Sequence, residues 1–199
     1  MPLTGIIPQQ SFELVRDRIG SILGTEVLNQ FTLSANSALD ADIWIERFVP
    51  FGHEELPAIN VNFDSGNFSS HDQVQADGGY RFNIDCYSSA KTSSSKDGDS
   101  LAIINLHRLI GVCRAILENS VYKTLGFNAP FVMNRHIESM QIADPGKQDA
   151  ASTVMGRLVM NVRLPETTEL LSPTDLNSYY TTVKLEETEN GYLYIGNGT

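Results

Sequence analysis

Residues 80–87 read Tyr-Arg-Phe-Asn-Ile-Asp-Cys-Tyr, and this alternation decides the fold. Tyr80, Phe82, Ile84 and Cys86 fall on one face of an extended chain, and Arg81, Asn83 and Asp85 fall on the other. That is the pattern of a half-buried strand. Residues 90–99 follow, rich in serine with lysine, threonine, aspartate and glycine, and read as an exposed loop. Asp99 or Ser100 then caps a helix predicted to run to Leu125, where Gly126 stops it. The Asp97-Gly98-Asp99 run is a fragment of a calcium loop without the remaining ligand positions, so the capping role is the simpler one. The helix is apolar on more than one side, through Leu106, Leu109, Ile110, Cys113, Ile116 and Leu117. Its polar stripe is narrow, with Arg114 and Glu118 spaced to pair. Such a helix covers a sheet and touches a second element besides. Ile110, Cys113 and Ile116 or Leu117 are expected to bury against the 80–87 strand.

Residues 11–23 carry Phe12, Val15, Ile19 and Ile22 at helical spacing, and Gly24 is expected to end that helix. Residues 26–39 are ambiguous. Residues 42–50 alternate as a strand around Trp44. A turn rich in glycine, proline and glutamate separates them from a second strand at 58–63, with Ile59, Val61 and Phe63 inward. The two are expected to form an antiparallel hairpin. Residues 65–79 read as a long polar loop. Residues 135–143 and 153–164 are strands, the second ended by Pro165, with a polar loop at 144–152 between them. Residues 178–187 and 192–195 flank Asn190-Gly191 as a terminal hairpin. No internal repeat is visible. The order predicts an α+β fold: a mainly antiparallel sheet with the long helix and an N-terminal helix packed on it, plus a C-terminal hairpin. One domain over 1–199 is expected, with 166–199 as an extension.

Composition excludes several classes. Twenty-four acidic residues against 14 basic give a net charge of −10, and no lysine–arginine cluster appears. Tight binding of DNA or RNA is not expected; an acidic surface lets nucleic acid slide past without sticking. No apolar run reads as a membrane span, and residues 1–10 do not read as a secretory signal. The two cysteines, Cys86 and Cys113, sit at apolar positions and read as buried free thiols in a reducing compartment.

Chemistry is sought and mostly not found. There is no nucleophile-elbow serine, no phosphate-binding lysine loop and no dinucleotide fingerprint. His136 and Glu138 share a strand face and could ligate a metal, but no third ligand stands nearby, so a cross-strand polar pair is the simpler reading. His53-Glu54-Glu55 reads as solvated charge in a turn, and His71-Asp72 is equally plain. No catalytic, cofactor-binding or metal-binding residue is expected, and no cofactor. Trp44, the only tryptophan, faces either a partner or a covering helix.

A series of segments carries a resemblance: Trp44-Ile45-Glu46-Arg47, Glu55-Leu56-Pro57-Ala58-Ile59-Asn60-Val61, Arg81-Phe82-Asn83-Ile84-Asp85-Cys86-Tyr87, Gly98-Asp99 opening a long helix, and Tyr122-Lys123-Thr124-Leu125-Gly126-Phe127. In this order they resemble the tail terminator (tail completion) proteins of long-tailed bacteriophages, over about residues 10–165. The resemblance implies a structural virion protein and not an enzyme, in a homo-oligomeric, hexameric ring. The ring would cap the tail tube, stop its growth and offer the surface for head or neck. Implied partners are the tail tube protein, the neck or head-completion protein and the sheath, with DNA passing through and no membrane. The implied location is the virion tail at its neck end, and the host cytoplasm during assembly. The segment after residue 165 departs from the short forms of the family and reads as an added strand reaching a neighbour or the sheath. Alternatives are a neck adaptor or tube protein of the same machine, a host-directed binding module, and a small hydrolase built on His136 and Glu138.

Overall fold

A computed structural model describes residues 7–70, 75–91, 98–143, 153–167, 178–184 and 191–197. The chain divides into two compact units, 1–168 and 169–199. Among the described residues of the first unit, two helices and one five-stranded sheet form an α+β fold, as the alternation implied. The helices are α1 (Ser11–Ser34) and α2 (Gly98–Glu118). The strands are β1 (Asp42–Ile45), β2 (Ala58–Ser70), β3 (Gln75–Ser89), β4 (Asn134–Ala143) and β5 (Thr153–Thr167), in the order β1-β2-β3-β5-β4. In the second unit β6 (Ser178–Lys184) and β7 (Gly191–Asn197) pair antiparallel, Ser178 opposite Asn197.

The strand at the heart of the sheet is β3, paired antiparallel to β2 on one side and β5 on the other. Its even-numbered residues Tyr80, Phe82, Ile84 and Cys86 are buried under the helices with Ile59, Val61, Leu158, Met160 and Val162. The expected helix orientation holds: Ile110, Cys113, Ile116 and Leu117 are buried, and α2 lies on β3 and β5. Its second apolar side meets α1. Ser100–Glu118 is long and apolar enough by length and composition to cross a membrane, which the sequence reading missed; here it is the helix that covers the sheet.

Several boundaries differ from expectation, each for a physical reason. Helix α1 runs through Gly24 to Ser34 and ends at Ala35, whose left-handed backbone (φ 50°) donates its N–H to the Phe31 carbonyl at 2.8 Å. Glycines 20 and 24 do not stop the helix, and Gly20 lets it approach β1. A methyl at Gly20 would run into Ile45, and one at Gly24 would lie 3.6 Å from Ile43. The expected β1–β2 hairpin is instead a parallel pair, Asp42 opposite Ala58 and Ile45 opposite Val61. The connection over 46–57 is long enough to carry the chain back to the start of β2, as a parallel pairing requires. β1 is also shorter than predicted, because Glu46 turns left-handed (φ 52°).

The expected loop at 65–79 is largely strand. β2 and β3 continue as an arm to Ser70 and Gln75, past a bulge between Phe63 and Ser65. The Tyr80 ring fills the space that side chains at Gly66 and Gly78 would need. Helix α2 ends at Glu118, not Leu125. Asn119 accepts the Val121 N–H at 3.0 Å, and a 3-10 turn over Ser120–Tyr122 follows. Arg135 donates to the carbonyls of Leu117, Asn119 and Tyr122, satisfying groups a helix end leaves open. Strand β5 continues past Pro165 to Thr167; it has passed the end of β4, whose last partner is Arg163, so the missing proline N–H is tolerated. The expected loops at 92–97 and 144–152, the segment 168–177 and Asn190 lie outside the described residues.

Candidate interaction surfaces

Of the residues singled out for chemistry, His136 and Glu138 are brought to the same stretch of sheet, both against Asn161. Glu138 sits in a bulge of β4, between Ile137 and Ser139, and accepts from Asn161 at 3.0 Å. His136 stands opposite Asn161. Among the described residues no group of three His, Cys, Asp or Glu could hold a metal ion. Cys86 and Cys113 are free, buried and 3.9 Å apart at sulfur. The neighbouring sulfur and burial push the Cys86 thiol well above its ordinary range, so it is an inert core pair.

The face of the sheet away from the helices is polar and tightly paired. Arg157 forks onto Asp85 at 2.6 and 2.8 Å, and Asn62 adds a third bond to that carboxylate at 3.3 Å. The carboxylate in turn holds the Arg157 guanidinium above its ordinary value. Asn83 donates to Asp64 at 2.9 Å, and Arg81 lies between Asp64 and Glu138 at 3.7 and 3.6 Å. Arg163 pairs with Asp77. Asn60, Asn83 and Asp85 are buried on this face. The long arms of Arg81 and Arg157, partly exposed, lie across this face. A groove of about 470 Å³ opens here between the arm and β4, lined by Arg81, His136, Glu138 and Arg163.

The two sheet edges carry apolar surface of a different kind. At the β1 edge the chain leaves the sheet at Glu46, whose N–H donates to the Val61 carbonyl at 3.0 Å and whose carboxylate accepts the Phe63 N–H at 2.8 Å. The buried Asn60 amide then grips the next residue, accepting Arg47 N–H at 3.1 Å and donating to Arg47 C=O at 2.7 Å. The Arg47 guanidinium forks onto Glu55, 2.8 Å to each oxygen, and lies 4.4 Å from the ring centres of both Trp44 and Phe51. That fork, with the Gly52 N–H, holds the Glu55 carboxyl below the usual carboxylate range. Beyond this clamp Phe48 is 87% exposed and Val49 68%.

At the opposite edge, β4 pairs only with β5 among the described residues, and Met133, Met140 and Ile142 are about half exposed. Beside its start lies a groove of about 430 Å³, with Val132 and Met133 on the apolar side and Lys123, Arg135 and His136 as polar lining. Glu118 also lines it, tied to Arg114 at 3.1 Å.

The sequence reading left Trp44 between a partner and a covering helix; it is 37% exposed and packs against Arg47 and Phe51, a clamp that reading missed. The same reading assigned Arg47, Phe48 and Val49 to a strand. The one local signal against that was the Val49-Pro50 step; the partners Asn60 and Glu55 lie too far along the chain to be read. No protein-family model matches this chain, and no curated protein matches it.

Proposed function

We propose that this chain is a structural subunit of a phage tail, a terminator that closes into a ring of six on the end of the tail tube, stops its growth and offers the head or neck a surface. The observation that carries the reading is the placement of exposed apolar side chains at both edges of one sheet: Trp44, Phe48 and Val49 beyond β1, and Met133, Met140 and Ile142 along β4. The patches differ, so the association they favour is head to tail, the kind of contact that closes into a ring when its rotation closes and runs on as a filament when it does not. Patches of this kind mark interaction sites. The ordered resemblance of residues 10–165 to tail terminators supplies the ring's place, and the net charge of −10 suits a passage that DNA crosses without sticking.

The test is native mass measurement at tens of micromolar, then imaging with purified tail tubes. A closed hexamer, and one ring at one tube end with no further growth, is the expected outcome. A chain that stacks into open-ended tubes is a tube protein instead. A chain that stays monomeric with and without tubes is no ring subunit.

A further inference from the structure

The segment 46–51 is anchored far more heavily than its own burial requires. A buried asparagine reads its backbone, a forked ion pair fixes Arg47, and two aromatic rings set edge to face, 6.2 Å apart, lie against that guanidinium. Yet the tip beyond the clamp, Phe48-Val49-Pro50, is exposed to solvent. An exposed phenylalanine on a wandering loop is unremarkable, but one on a clamped loop is held ready. Fixing a loop in its bound shape removes the ordering cost of association, which is how small anchors become tight ones.

The partner is read from charge and shape. Residues 40–55 carry five carboxylates; Glu55 is held by Arg47 and Glu46 lies 3.5 Å from Arg16, which leaves Asp40, Asp42 and Glu54 outside those pairs. A surface that receives the tip should be apolar in the middle and cationic at the rim. The groove beside β4 has the half-exposed Met133 at its mouth and Val132, 8% exposed, at its floor, with Lys123 beside them and Arg135, whose guanidinium already donates to three carbonyls. Its one carboxylate, Glu118, is occupied by Arg114. In a chain of net charge −10 this is a cationic exception. Its volume of about 430 Å³ lies in the range of pockets that take side-chain-sized groups. Groove and tip belong to opposite edges of the same sheet, with three strands between β1 and β4, so one molecule cannot fill its own groove.

We propose that the occupant is a second copy: Phe48 and Val49 of one subunit insert into the Val132–Met133 groove of the next, with acidic rim against cationic rim. The contact deepens the ring reading and rests on it for closure, because one tip and one groove per copy propagate head to tail.

Engineered thiols test it. The double variant Val49→Cys/Met133→Cys, treated with oxidised glutathione, should give a ladder from dimer upward on a non-reducing gel. The native thiols are fully buried and stay out of the reaction. Either single variant alone should give no cross-link, and the two singles mixed should give a dimer and nothing larger. In parallel, Phe48→Ala should weaken self-association by about 30-fold or more, as loss of a hot spot does, with an unchanged melting curve. An oligomer by native mass with no ladder overturns this contact and leaves the ring standing. Singles that cross-link as readily as the double variant reveal a two-fold contact and overturn it too. A monomer with no ladder overturns both readings.

Discussion

The two faces of the sheet are made from alternate residues of the same strands, yet they are held by different means. On the helix side Phe82, Ile84, Leu158 and Met160 are buried by α1 and α2, a non-directional arrangement that tolerates any well-fitting apolar shape. On the other side Asn83 and Asp85 are buried among side chains of the sheet, Asn60 is buried against the backbone of Arg47 in the segment after β1, and each is bonded to a named partner. The first face depends on volume and the second on pairing. A polar sheet face is therefore not a free surface: Arg157 and Arg81 lie across it, and the Arg47 backbone holds Asn60.

Volume loss should show the larger effect. Phe82→Ala removes a fully buried ring from the central strand, with expected destabilisation of about 3–5 kcal/mol, measured by urea unfolding. A loss under about 1 kcal/mol would mean the helix layer is loosely packed. Pairing loss comes next. Arg157→Ala strands the Asp85 carboxylate, which is 2% exposed, with only the Asn62 bond left. About 2–3 kcal/mol is expected, less than for a wholly buried pair because Arg157 is 38% exposed. Asp85→Asn in the same chain should recover part of it, since no unpaired charge then remains. If Phe82→Ala and Arg157→Ala cost the same, the contrast between the faces fails.

Much of the covered face was legible because alternation is local. The even-numbered residues 80–86 and the apolar spacing of α2 needed no distant information. The open face was legible as outward, but not as buried, because the residues that close it belong to other strands. Glycine misled twice. Gly24 read as a stop, yet the helix runs on through it, and Gly66 and Gly78 read as loop, whereas each makes room for the Tyr80 ring. The parallel β1–β2 pair was missed because a short turn and a return crossing look alike until the partner register is known. The docking tip was least legible, since its clamp joins Arg47 to residues eight and 13 positions away.

The smallest expected effect concerns that clamp and is read by the only tryptophan. Trp44 lies against the Arg47 guanidinium, and Glu55 fixes the guanidinium from the far side. The Glu55 carboxyl titrates below its ordinary value of 4.5, chiefly through the Arg47 fork and next through the Gly52 N–H. A depressed carboxylate stabilises the fold above the unfolded value, and that contribution is lost as pH falls through the folded one. The emission of Trp44 should therefore hold steady from neutral pH down to about 4.5 and change below it, as protonated Glu55 releases Arg47. Far-UV circular dichroism taken alongside should stay flat through the same step, since the clamp opens without unfolding the sheet. In Glu55→Gln the step should vanish, with the emission already at its low-pH value at neutral pH. An identical titration in Glu55→Gln would show that another carboxylate governs Trp44, and the loop would then be held by Asn60 alone.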